Sequence, residues 1–235
     1  MKKKTLLWTT GVLIFLAVAV MLVSWIGLMG KFEYPDILRK SAAEVLTKYF
    51  NGGVQIRLLW VGMTMSSVIF IPVILLMHKL LNNQKTPFLF IGTAFGLAGA
   101  MFSVLGFARW VFSMNVLANL FHNNPLDAKM IEISYQTINS YAGTSLGEFL
   151  GFMTTGIWII FIGWAILKSK LFHKLSGILC IVCGTGVFFG ILELFDIHTS
   201  IDINADSYML YFILLLYLGV RSLILAIKTK PQELV

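Results

Sequence analysis

Two arginines and two glutamates, Arg57, Arg109, Glu148 and Glu193, fall within or at the ends of long apolar runs of a weakly charged chain. A charge at mid-bilayer costs about 2.5–3.5 kcal/mol on insertion scales, so charges in such runs mark a partner, a ligand or a pathway. A guanidinium can hold a carboxylate or phosphate through two parallel hydrogen bonds, and a carboxylate taken out of water can act as acid or base. The four residues are therefore the candidate ligand-binding set. Glu148 is also the candidate acid/base of a catalytic site, with His122 or His198 as its assistant. Asp196, His198 and Asp202, with Asp206 nearby, form a weaker candidate set for a divalent ion. No HExxH or paired ExxH accompanies them, and the expectation is that neither a metal nor another cofactor is held.

The elements that position these residues follow from composition. Of 235 residues 58% are hydrophobic and only 12% charged. Soluble domains carry about a quarter charged residues, so the chain falls in the membrane class. Six runs are long enough to cross roughly 30 Å of hydrocarbon at about 1.5 Å per residue. They cover residues 5–29, 58–77, 88–109, 141–167, 175–195 and 208–227. The fold class expected is all-α: one membrane domain over 1–235, a bundle of six transmembrane helices. The first run follows Lys2-Lys3-Lys4, but it is too long for a signal-peptide core and no small-x-small site precedes Lys31. It is expected to be a retained helix.

Orientation follows from the lysines and arginines. With the N-terminus inside, the cytoplasmic segments hold Lys2, Lys3, Lys4, Lys79, Lys85, Lys168, Lys170, Lys174, Lys228 and Lys230, and Arg221 snorkels to the same side. Both termini are expected to be cytoplasmic, in a bacterial plasma membrane. The net charge of +7 is sorted by loop and forms no single patch, which argues against nucleic-acid binding. His78 and His173 lie in the basic cytoplasmic links and are expected to be solvated. Cys180 and Cys183 have no second pair and no activating charge, so they read as packing thiols.

Two short amphipathic helices are expected on the outer side. Ser41-Ala-Ala-Glu44 is a capping box opening a helix over about 41–51, ended by Gly52-Gly53. Asn124-Pro125 opens another over about 125–139. Counting from each span's inner end puts the four charges roughly 27–32 Å up, in one layer at the outer edge of the hydrocarbon. Opposite charges there should pair, Arg109 with Glu148 and Arg57 with Glu193. Small residues four apart (Gly92/Gly96, Gly143/Gly147/Gly151, Gly186/Gly190) let helices approach closely. They serve packing within the chain, with a homo-oligomer face as the alternative.

The chain resembles a family of uncharacterised bacterial six-span membrane proteins catalogued as domain of unknown function 4386. The resemblance rests on Tyr34-Pro35-Asp36-Ile37-Leu38-Arg39, on Arg109-Trp110, and on Asn139-Ser140-Tyr141-Ala142-Gly143 with Gly147-Glu148. It covers about residues 5–227. It implies a six-helix membrane fold without an established activity, and makes the segment from Tyr34 a candidate to dock on the Arg109/Glu148 layer. The leading expectation is a non-enzymatic protein that binds or passes a small polar or amphipathic ligand, or a lipid, through an outward-facing cleft. The alternatives are an intramembrane enzyme acting on a lipid or isoprenoid headgroup at the outer leaflet, and an accessory or immunity-type protein.

Overall fold

A computed structural model describes residues 2–229; Lys230, counted above with the basic residues, lies outside them. Among the described residues there are helices and no strands. Six helical stretches are long and apolar enough to cross a membrane: Lys3–Phe32, Ala42–Leu81, Leu89–Asn123, Pro125–Lys168, Lys174–Phe195 and Thr199–Lys228. The protein is a multi-pass membrane protein of the all-α class.

Helix α1 (Lys3–Phe32) ends where Glu33 turns left-handed and its N–H reaches back to the Leu28 carbonyl. A 3-10 turn, Asp36–Arg39, leads to Ser41, whose side chain and that of Glu44 cap α2 (Ala42–Leu81) reciprocally, as the capping box requires. At Gly53 φ is +52° and ψ −135°, which breaks α2 into an outer arm and a spanning arm. Only glycine adopts such a conformation cheaply.

Helix α3 (Leu89–Val111) bends at Phe112 into α4 (Ser113–Asn123), a helix not foreseen from the sequence. Pro125 opens a 3-10 turn before α5 (Ala128–Ile138), so this end of the bundle carries an α4–α5 hairpin rather than one helix. The fourth span begins as a π-helix, Asn139–Leu150, and continues as α6 (Gly151–Lys168). Helix α7 (Lys174–Phe189) ends in a 3-10 segment, Gly190–Phe195, and α8 runs from Thr199 to Lys228.

The spans form a closed ring in chain order. Each packs on the next (α1 on α2, α2 on α3, α3 on α6, α6 on α7, α7 on α8) and α8 returns to α1. One end holds the chain's beginning and the α8 terminus; the other carries the Asp36–Arg39 turn, the outer arm of α2 and the α4–α5 hairpin. We call these the terminal and capped ends.

Glycines set the spacing. A Cβ on Gly163 would lie 2.6 Å from the Gly177 carbonyl oxygen, and one on Gly156 2.7 Å from that of Gly184, so α6 and α7 touch backbone to backbone. Gly92 and Gly96 face Phe161 and Trp158, while Gly186 and Gly190 face Ser207 and Asn204.

Two apolar clusters fill the bundle. The terminal half packs Met77, Leu81, Leu89, Ile162, Ile166 and Phe172 among others. The capped half is built on Phe32, Tyr49, Trp60 and Trp110. His78 is half-buried rather than free in a link: it lies in α2 with Nδ1 2.7 Å from the Thr93 hydroxyl on α3. His173 is exposed, but its Nδ1 caps α7 by accepting the Leu175 N–H.

Candidate functional site

Arg109 stands in the last turn of α3, where a cation complements the helix dipole. Its guanidinium is buried, 9% exposed. Nε and Nη2 donate to Asn139 Oδ1 at 3.3 and 3.2 Å, and Nη1 donates to the Gly106 carbonyl. Its central carbon also lies 5.1 Å from the centroid of the Trp110 ring, within range of a cation–π attraction. Trp110 in turn stacks on Trp60 at 4.8 Å, and its carbonyl accepts the Tyr49 hydroxyl at 2.5 Å.

The π-helix decides what faces Arg109. Its i→i+5 hydrogen bonds widen each turn, so residues do not recur every fourth position as in an α-helix. Asn139 meets the guanidinium, and Gly143 leaves room for it, since a Cβ there would lie 2.6 Å from Arg109 Nη2. Gly147 lies against Gly106, and Glu148 reaches the bundle interior. The expected Arg109–Glu148 ion pair is therefore absent. Asn139 takes the position at the guanidinium, and Glu148 has neither an ion-pair nor a hydrogen-bond partner among the described residues.

The second expected pair, Arg57 with Glu193, is also replaced. Glu193 accepts from Arg39 at 2.7 Å, an ion pair whose side chains are 44% and 30% exposed. Beyond the Gly53 break Arg57 faces α4, where Nη1 is 3.5 Å from Asn115 Oδ1 in a shallow groove with Phe112 and Val116. Three of the four charges share one site and Arg57 is outside it. Counting along a helix gives height, and height does not fix which way a side chain turns around its helix axis.

Arg109, Glu148 and Glu193 line a cavity of about 240 Å³ inside the ring. It is far larger than the ~10–15 Å³ a single water needs. Its capped end is formed by Tyr34, Pro35, Leu38 and Arg39, which dock over the charged layer as the resemblance implied. From there it passes Trp25, Trp60, Met63 and Phe107 to a floor of Phe70, Ile74, Trp158, Tyr211 and Leu215. Burial, and then the Glu148 carboxylate, push the Tyr34 phenol up to about 12.

Buried side-chain polar atoms without a hydrogen-bond partner among the described residues are Trp60 Nε1, Trp158 Nε1, Tyr211 Oη and Ser200 Oγ. The first three belong to residues that line this cavity. An indole N–H can only donate, so two of the three need an acceptor the protein does not supply.

Neither His122 nor His198 lines the cavity. His122 stacks on Phe50 with ring centroids 3.9 Å apart, and His198 lies at the start of α8. Asp202 and Asp206 are in α8 rather than in a loop, and Asp196 caps the 3-10 segment in a left-handed conformation. Among the described residues no three His, Cys, Asp or Glu side chains gather to hold a metal ion, so Asp196, His198 and Asp202 do not form a ligand set.

The sequence reading missed Arg39 as the partner of Glu193. It also missed the donors on Trp158 and Tyr211. Arg39 stands out in the sequence only as the last residue of the Tyr34–Arg39 motif. Its signal was weak, since 154 positions separate it from Glu193.

Comparison with curated proteins and with solved structures finds no match for the chain. The family profile described as domain of unknown function (DUF4386) matches residues 9–227. Having nearly the whole chain under that profile and six apolar helices arranged as a ring, this protein belongs to the DUF4386 family of six-span membrane proteins.

Proposed function

We propose that this protein binds an amphipathic ligand in the central cavity, with the ligand's polar head at the capped end and its apolar body between the helices. The observation that carries this reading is a single cavity graded from charged residues (Arg39, Arg109, Glu148, Glu193) to an aromatic and aliphatic floor. Binding sites are concave and mostly apolar, with a few placed polar groups, and this cavity has that composition. The excess of lysine at the terminal end favours an orientation with the capped end outside the cell.

An enzymatic reading has less support. Glu148 would need a proton-transfer partner, and neither His122 nor His198 shares its cavity.

The test is mass spectrometry of molecules retained by the protein after extraction from its own membrane in polymer nanodiscs. Wild type should retain one amphiphile class in stoichiometric amount. Ala100→Phe, which puts a ring into the cavity at a 7% exposed position, should lose it while remaining folded. Identical lipid profiles for the two proteins would overturn the proposal.

A further inference from the structure

Two observations narrow the ligand's chemistry beyond "amphipathic", given the cavity-binding reading above. The first is width. The cavity follows α8 from Ile201 to Leu215 and α2 from Trp60 to Ile74, each fourteen steps or about 21 Å at the helical rise. The volume of about 240 Å³ is the space open to the centre of a water-sized sphere, so drawn out over that length, with the sphere's own radius added all round, it makes a bore wide enough for one hydrocarbon chain and too narrow for two.

The second observation is charge. Of the four charged residues at the cavity's capped end, Arg39 and Glu193 neutralise each other at 2.7 Å. Arg109 and Glu148 remain. The contacts of Arg109 are the neutral Asn139 amide and Gly106 carbonyl, and Glu148 has none. Two opposite charges thus line one cavity on adjacent elements, the end of α3 and the π-helix, each without an opposite charge in contact. In a low-dielectric site a head of single charge would gain from one and be repelled by the other. A head carrying both signs meets both.

Charge assigns the two ends of the head, an anionic group to Arg109 and a cationic group to Glu148, both of which line the cavity. Tyr34, whose ring meets Trp60 edge to face with centroids 5.3 Å apart, lines the same end of the cavity. We infer that the ligand is a single-chain zwitterionic lipid of the lysophospholipid kind, its phosphate at Arg109 and its ammonium at Glu148.

The test uses the full-length protein in nanodiscs and a decylphosphocholine probe with a diazirine at the chain end, labelling sites being mapped by peptide mass spectrometry. Saturable labelling is expected on the floor residues Phe70, Trp158 or Tyr211. Unlabelled decylphosphocholine should compete about tenfold or more better than decyltrimethylammonium or decyl sulfate, roughly 1.4 kcal/mol of head recognition. Glu148→Gln leaves Arg109 as the sole unmatched charge, so decyl sulfate should then overtake decylphosphocholine. A purely structural glutamate would not produce that inversion. Equal competition by all three heads in wild type, or an unchanged ranking in Glu148→Gln, overturns the headgroup inference and leaves the cavity-binding reading standing. No saturable labelling of the floor by any of the three heads overturns both.

Discussion

The two halves of the bundle solve the same packing problem with different residues. In the terminal half, glycines bring α6 and α7 into backbone contact and aliphatic side chains fill what remains. In the capped half, stacked tryptophans, a buried arginine and a π-helix surround the charged end of a cavity whose floor reaches into the terminal half. Close approach needs no polar group, because dispersion and shape suffice in lipid. A wide interior needs rigid spacers, and the aromatic cluster of Phe32, Tyr49, Trp60 and Trp110 supplies them.

That contrast can be broken from either side. The largest loss is expected from Gly163→Val. Its Cβ would lie 2.6 Å from the Gly177 carbonyl and 2.9 Å from Ile181 N, both backbone atoms that cannot move aside. Overpacking of this kind costs about 1–3 kcal/mol, and thermal unfolding in detergent should register it in full. In the capped half, Asn139→Ala should come next. It strips the buried Arg109 of its side-chain acceptor, and losing hydrogen bonds to a charged group costs about 1.5–3 kcal/mol. Asn139→Asp should rescue that loss, because it restores an acceptor and adds an opposite charge.

Alkaline titration sharpens the comparison. Tyr34 in the folded protein is raised from 10 to about 12, so the folded state holds its proton more tightly than the unfolded chain does. Its contribution is complete below pH 10 and is lost as pH rises through about 12. Unfolding followed by circular dichroism over that window should show a loss that Tyr34→Phe lessens. Smaller again is Ser41→Ala, which removes the cap of the outer arm of α2 and should cost about 1 kcal/mol. Arg39→Ala should be smallest in stability, since exposed ion pairs contribute about 0–1 kcal/mol. Its effect belongs in the rate of ligand exchange at the cavity mouth, which should rise.

Much of this architecture was legible in the sequence, for physical reasons. Hydropathy marked all six spans, because lipid tolerates no other uniform environment for a helix. The capping box at Ser41 and the breaks at Gly53 and Pro125 were visible because local chemistry alone decides them. Depth was legible too, since the helical rise is constant, and it placed Arg109, Glu148 and Glu193 around one cavity. What could not be read was rotation about the helix axis. The π-helix over Asn139–Leu150 puts Asn139, not Glu148, against Arg109, and the Gly53 break turns Arg57 toward Asn115. The pair Arg39–Glu193 was hidden because nothing local in either segment requires the other. The α6–α7 contact was overlooked because Gly156/Gly163 and Gly177/Gly184 recur every seven residues, and the sequence reading sought spacing of four.

The central claim is that the charged layer is the mouth of an occupied cavity and not simply an interhelical clamp. An electron cryomicroscopy map of the protein extracted with its native lipids tests this most directly. The account predicts one elongated density within the ring, its head beside Arg109 and Glu148 and its tail toward Trp158, present in wild type and lost in Ala100→Phe. A cavity filled only by discrete waters, or collapsed so that Glu148 meets Arg109, would contradict it.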